Sequence, residues 1–201
     1  QTICPLIPAC AASIGDVQVR NKGTIGGSLA HSDPAGDWPA AAIALNADLV
    51  LVGPVGERIV KADDFFVDLL TTVLEPGEIL REIRIEKPAG RFGQAYQKVP
   101  HPASGFAVVG IAVNLTLDPS GKCDSVSLGV TGVGSKAYRP NASEKSLIGT
   151  NLDEQSIATA ASHVCDGVDA NSDLYASSEY RCHLAQVHTR RAIVTARASV
   201  K

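Results

Sequence analysis

Methionine is absent from these 201 residues, and aromatic side chains are few: one Trp, four Tyr and four Phe. Without a methionine, Gln1 is not expected to be a translated start. No apolar run approaches the roughly 20 residues that cross a bilayer, so membrane insertion is not expected. No segment has the basic start and apolar centre of a secretory signal. Lys and Arg form no block and the formal net charge is −3, which argues against nucleic acid as a partner. No C-x-x-C occurs, so a zinc knuckle or an iron–sulfur cluster within this chain is not expected. The cysteines, Cys4, Cys10, Cys123, Cys165 and Cys182, are odd in number and widely spaced. They read as free thiols in a reducing, cytoplasmic compartment. His183 and His188 are five apart and do not share a helix face, and Ser104 lacks a G-x-S-x-G setting. Metal-assisted and hydrolytic chemistry therefore find no residues here, and no catalytic side chain is assigned.

What the chain does have is a core and a motif. Apolar residues make up 45% and charged residues 19%, enough apolar matter for one large or two small domains. The densest local signal is Gln18 to Ala40, QVRNKGTIGGSLAHSDPAGDWPA. Gly23, Gly26, Gly27, Pro34, Gly36 and Pro39 punctuate it; Asn21, Thr24, Ser28, Ser32, Asp33 and Asp37 supply small polar side chains. Such a Gly-rich loop leading into a helix can present backbone N–H groups to a phosphate. It is equally readable as a long surface loop with a helix cap. Asp37 is a plausible N-cap for a buried helix over Trp38 to Leu45, with Pro39 in its first turn and Asn46 ending it in the left-handed conformation.

Around this stretch the chain reads as α+β. Leu6, Cys10 and Ile14 recur every four residues and predict a short helix. Asp48 to Val52 and Glu57 to Val60 read as a hairpin across Gly53-Pro54-Val55-Gly56. Ala62 to Phe66 is a short turn or helix. Glu78 to Glu86 reads as a strand, with Ile79, Ile83 and Ile85 opposite Glu82, Arg84 and Glu86. Lys87-Pro88-Ala89-Gly90 marks a boundary between domains 1–89 and 90–201. In the second, Phe92 to Lys98, Phe106 to Asp118 and Cys123 to Val133 are strands, the last two joined by a turn at Asp118 to Gly121. Helices follow over Leu152 to Cys165 and Ser178 to Ala198; in the latter, Tyr180, Leu184, Val187, Val194 and Ala198 form the expected inward stripe. Three antiparallel strands with helices on one face make a small α+β domain.

The residues VRNKGTIGGSLAHSDPAGDWP, followed by ADDFF, LEPGEIL, YQKVPHPASGFAVVG and SEYRCHLAQV, closely resemble the FAD-carrying medium subunits of the molybdenum hydroxylases, the group of aerobic carbon monoxide dehydrogenases and xanthine dehydrogenase-like enzymes. The resemblance spans nearly the whole chain. It implies the second half of a vanillyl-alcohol-oxidase-type (PCMH-like) FAD-binding domain, then a C-terminal domain with a three-stranded sheet. It implies FAD as cofactor, held by Thr24, Ile25, Gly26, Gly27 and Ser28. It carries Asp37 to the ribityl or ribose of FAD, Lys98 to the flavin ring, and Ile79 and Leu80 to packing against that ring. His31 and Asp33 fall inside the same motif. For each the plain reading stays open: a cap for Asp37, a solvated strand-end lysine for Lys98, ordinary core for Ile79 and Leu80. A cation by the pyrimidine edge would favour reduced, anionic flavin. Implied partners are a molybdenum-cofactor large subunit and an iron–sulfur small subunit. Electrons would pass from the clusters through FAD to an external acceptor. Members of that family carry, in an N-terminal subdomain, an A-G-G-Q-S-type loop for the FAD pyrophosphate, and none precedes Gln1, so FAD binding by this chain is expected to be weak or absent. The rival readings are a flavin-free interaction or assembly module and a stand-alone flavoprotein reductase.

Overall fold

The computed structural model describes residues 3–200; Gln1 and Thr2, part of the first expected segment, lie outside the described residues. The chain opens on short helices: α1 (Leu6–Ser13), α2 (Val17–Lys22), α3 (Ile25–His31) and α4 (Asp37–Ala44). Most of the glycine-rich stretch is therefore helical, where the sequence predicted a loop. Caps explain the difference. Asp16 accepts from Gln18 N at 2.6 Å to start α2, and Thr24 Oγ1 accepts from Gly27 N at 3.0 Å to start α3. Each satisfies a backbone donor that a helix start leaves open, worth about 1 kcal/mol, comparable to what a glycine in a helix interior costs. Burial of Leu29 anchors α3, and Ser32 ends it in the left-handed conformation (φ 54°).

The cap assigned to Asp37 is not there. Gly36 occupies the N-cap of α4 and Asp37 is its first residue, making no capping hydrogen bond. Asn46 does take the left-handed conformation (φ 51°) just beyond the helix. Nearly all of α4 is buried.

Next come β1 (Asp48–Gly53), β2 (Gly56–Lys61), α5 (Ala62–Phe65), β3 (Phe66–Asp68), β4 (Thr71–Thr72) and β5 (Ile79–Arg84). The hairpin β1–β2 pairs in the expected register, Gly53 against Gly56, and β5 joins the other edge of β1. A bulge separates Leu51↔Leu80 from Val50↔Glu82. The extra residue, Arg81, reverses the phase of the strand. Leu80 and Ile83 pack on the cluster around Leu49 and Phe65, while Ile79, placed by alternation beside Ile83, is 63% exposed. The ribbon β3–β4 escaped the sequence reading because each strand is too short to show a period.

The second half forms an antiparallel sheet in the order β6 (Arg91–Pro100), β7 (Ala107–Leu117), β8 (Cys123–Thr131). It is followed by α6 (Asn141–Leu147), which the sequence did not reveal, then α7 (Glu154–Ser162) and α8 (Ser178–Ala198). Two results differ from expectation. First, helices cover both faces of the sheet. Helix α8 lies on β6 and β7, while α4, from the first half of the chain, lies against β7 and β8 on the other side. The approach is so close that a Cβ on Gly93 would sit 1.9 Å from Ala196 O, and one on Gly129 would sit 2.0 Å from Ala40 O. Each face thus has a glycine where helix backbone meets strand. Second, α8 buries Arg181, Ala185, His188, Thr189, Ala192, Ile193 and Ala196; of the predicted stripe Leu184 packs on the cluster, while Tyr180 and Val194 are about half exposed. Where α8 crosses Gly93 the inward residues include the small Ala192 and Ala196, in keeping with that close approach.

Candidate functional site

Between the α1–α2 turn, α3, the start of α4 and the loop 101–106 lies a cleft of about 640 Å³, within the range of small-molecule sites. Thr24, Ile25, Gly27, Ser28, His31, Asp33 and Asp37 line it, together with Arg20, Trp38, Ser104 and Phe106. Of the remaining residues singled out from sequence, Gly26 lies in α3 off the lining, Lys98 is bonded to Asp37, and Ile79 and Leu80, on β5, are not among the lining residues.

The segment Thr24 to Ser28 is rigid by its own hydrogen bonds. Gly27 N–H donates to Thr24 Oγ1 and Ser28 N–H to Thr24 O. Asp33 Oδ1 accepts from Ala35 N at 2.8 Å, bending the chain into α4, and Oδ2 stands 4.0 Å from His31 Nε2. Across the cleft, His101 and Gly105 close a tight loop (Gly105 N to His101 O, 2.8 Å). That loop holds Phe106 partly exposed at the rim.

The floor of the site is a buried ion pair. Lys98 Nζ donates to Asp37 Oδ2 at 2.8 Å and to Ser13 O at 3.0 Å; the two side chains are 5% and 6% exposed. Tyr96 OH donates to Asp37 Oδ1 at 2.6 Å. Room for that hydroxyl exists because position 110 on β7 is glycine: a Cβ there would lie 2.5 Å from it. Burial raises the Asp37 pKa, opposed by the hydrogen bonds from Lys98 and Tyr96 and by the Lys98 charge. Burial, reinforced by Asp37 and Cys10, pushes the Tyr96 phenol well above its ordinary range, so it remains a donor. Inside the protein such charge-assisted bonds are strong, and each partner is expensive to leave unpaired.

Strand β6 supplies this set by simple alternation. Gln94, Tyr96 and Lys98 fall on the face toward α1 and α4; Gln94 Oε1 accepts from Leu6 N at 3.0 Å, fixing the start of α1. Tyr96, Phe106 and Arg20 were missed as site residues. The spacing of YQK held the signal for Tyr96, since two residues along a strand return to the same face.

A second cavity, of about 420 Å³, shares Ser104 and Phe106 with the first. It is walled by Arg181 of α8, whose guanidinium donates to Val108 O, Gly132 O and Asp173 Oδ2. Among the described residues no group of His, Cys, Asp and Glu could hold a metal, and no helix is long and apolar enough to cross a membrane.

Residues 1–88 match the FAD binding domain in molybdopterin dehydrogenase, and residues 94–196 the CO dehydrogenase flavoprotein C-terminal domain. The chain is 38% identical over 198 residues to the carbon monoxide dehydrogenase medium chain of Afipia carboxidovorans, covering 98% of this chain and 68% of that one. It is 36% identical to the glyceraldehyde dehydrogenase medium chain of Sulfolobus acidocaldarius, with 94% and 66% covered. The structure of reconstituted CO dehydrogenase from Oligotropha carboxidovorans superposes with a TM-score of 0.92 at 38% identity, covering 97% of this chain and 68% of that one. The chain thus spans about two thirds of the length of these relatives.

Proposed function

This chain belongs to the FAD-binding flavoprotein family of the molybdopterin dehydrogenases, and from that premise we propose that the cleft beside Asp37 holds the flavin of an oxidoreductase complex. The supporting observation is the meeting, in one cleft, of the 24–37 motif with a buried carboxylate fixed by Lys98 and Tyr96. The cleft fits the group in kind. It is open, it has an apolar side from Ile25, Trp38 and Phe106, and it places one oriented carboxylate on its wall.

In this reading Thr24, Ile25, Gly27 and Ser28 form a rigid edge against the cofactor. Asp37 accepts from hydroxyls of the ribityl or ribose. Lys98 keeps Asp37 ionised and oriented, and its charge reaches the flavin through that pair rather than by direct contact. His31 and Asp33 shape the rim. Bound FAD supplies the electron-carrier chemistry between iron–sulfur centres and an external acceptor. The partners are a molybdenum-cofactor large subunit and an iron–sulfur small subunit, and the compartment is cytoplasmic. The chain divides at 89/90, in the irregular connection between β5 and β6, with α4 reaching across to the second sheet.

The test is to purify the complex through a tag on this chain and measure flavin per chain by absorbance. Flavin bound to this chain, strongly reduced in Asp37→Asn, is the expected outcome. A complex with both partner subunits that carries no flavin on this chain, or a variant with unchanged flavin content, would overturn the assignment.

A further inference from the structure

Two glycines meet where the first and second halves of the chain close one end of the cleft. Gly15 stands in the turn between α1 and α2, and Gly105 in the loop that joins β6 to β7; both line the cleft. Their backbones touch. A Cβ on Gly15 would lie 2.7 Å from Gly105 Cα and 3.1 Å from Gly105 O, and a Cβ on Gly105 would lie 3.0 Å from Gly15 Cα. Carbon atoms in contact rest about 3.5–4.0 Å apart, so neither side chain fits. The obstacle on each side is backbone, not a side chain that can swing away. Gly105 also adopts φ 71°, a conformation that glycine enters freely.

Each side of this seam is fixed by bonds of its own. Lys98 Nζ donates to Ser13 O at 3.0 Å, Arg20 Nη1 to Ile14 O at 2.7 Å, and Asp16 caps α2. The β6–β7 loop closes on itself: Gly105 N donates to His101 O at 2.8 Å, and His101 N to Phe106 O at 2.7 Å. Among the described residues, no hydrogen bond joins residues 14–16 to residues 101–106 across the seam. The two walls therefore approach as far as bare backbone allows, and only the lack of two side chains sets that distance. Lys98 links the seam to the buried pair, since the same ammonium group bonds Ser13 O and Asp37 Oδ2.

On the reading that the cleft holds flavin, we propose that Gly15 and Gly105 are positioning residues for it: their contact seals one end of the cleft, and its tightness sets how long the flavin stays. A methyl group at position 15 must push the turn and the loop apart. The Asp37 pair survives such a wedge, because Lys98 and Tyr96 reach the carboxylate from β6 and not from either side of the seam. The cleft is loosened while every polar group in it is kept.

The complex is purified through this chain as wild type, Gly15→Ala, Gly15→Val, Gly105→Asn and the double variant Gly15→Ala/Gly105→Asn. Asparagine adds a Cβ yet tolerates positive φ. Flavin release is followed on dilution, and backbone amide exchange by mass spectrometry. Gly15→Ala should release flavin about tenfold faster, the scale of one overpacked contact, and Gly15→Val faster still. Gly105→Asn should act in the same direction. In the double variant the effect should fall short of the product of the singles, because a seam already parted has room for the second side chain. Amides of residues 101–106 should exchange faster in Gly15→Ala while those of α8 do not change. If Gly15→Val fails to fold by circular dichroism, Gly15→Ala and Gly105→Asn decide the matter. Single effects that multiply in full, or unchanged exchange over 101–106, would overturn the proposal. A wild-type complex without flavin would overturn the reading of the cleft and this role with it. Flavin present, but released at one rate by all variants, would overturn the role of the seam alone.

Discussion

The two faces of the β6–β7–β8 sheet differ in what they bury. Toward α7 and α8 the sheet presents Ala95, Val109, Ile111, Val113, Leu115, Val126, Leu128 and Val130 to a dry apolar cluster. Toward α1 and α4 the same β6 presents Gln94, Tyr96 and Lys98. The dry face is held by area removed from water, a non-directional force that tolerates small shifts. The other face is held by directional bonds around one carboxylate, which tolerate little. Buried ion pairs add little net stability compared with apolar packing, but breaking one is severe. The difference assigns the first face to stability and the second to placing a charge at the cleft.

The comparison breaks most sharply at Lys98. Lys98→Met leaves the Asp37 carboxylate buried without its cation, and the loss should be about 3–5 kcal/mol, read from urea unfolding. The pH dependence has a definite sign. Asp37 already titrates above its ordinary range, and losing Lys98 raises it further. Stability tied to a raised carboxyl is present below the ordinary carboxylate pKa and lost as pH rises through the raised one. The deficit in Lys98→Met should therefore grow from acid to neutral pH. Adding Asp37→Asn should recover much of it; a double variant no more stable than the single would mean that the pair is not the cause.

On the dry face, Leu128→Ala should cost about 2–5 kcal/mol through lost transfer energy and a cavity. It should do so with the same deficit at acid and neutral pH and with flavin content per folded chain unchanged. A parallel fall in flavin content would show that the faces are not separable.

Tyr96→Phe sharpens the contrast from the polar side. It removes one hydrogen bond to a charged acceptor, about 1.5–3 kcal/mol. Because that bond lowers the Asp37 pKa, its removal should raise the carboxyl further. Infrared difference spectra of the carboxyl band against pH would register the shift; an unmoved titration would deny Tyr96 its hold on Asp37.

The smallest effect lies outside both faces, at Glu78, where the Arg58 guanidinium, bonded in a fork, and the Glu75 N–H hold the carboxyl down to about 2. Here the sign reverses. The contribution is present above the ordinary glutamate range and lost as pH falls toward about 2. In Glu78→Gln the acid limb of the stability profile should flatten across that window while the neutral-to-basic limb keeps its shape. An unchanged acid limb would mean that the pair contributes nothing measurable, as many ion pairs near a surface do.

Local signals made a good part of this molecule legible. The β1–β2 hairpin, the β7–β8 turn at Gly121, the ranges of α1 and α7, and the left-handed Asn46 all depend on residues within a few positions of one another. The quoted motifs pointed to the family over nearly the whole chain. Where reading failed, one local rule lost to a competing local signal or to a distant contact. Glycine density argued for a loop, but Asp16 and Thr24 caps and the burial of Leu29 made helices. Alternation put Ile79 beside Ile83, but the bulge at Arg81 turned it out. Periodicity chose Tyr180 and Val194 for the inward face of α8, but the helix sits on the sheet through Arg181, Ala185, His188, Ala192 and Ala196, the last against Gly93.

By itself, then, the sequence determined which segments are helix and strand where period and turn chemistry agree, and that Thr24 to Asp37 is a unit. It also determined that Gln94, Tyr96 and Lys98 share a face, because strand side chains alternate. Only the tertiary structure decided what that face meets. Asp37 and Lys98 are 61 residues apart, and nothing local couples them. They meet because α4 is almost wholly apolar and is buried on the far side of a sheet that begins only at Arg91. Burial of α4 carries Asp37 inside, and an interior carboxylate is tolerated only beside its cation.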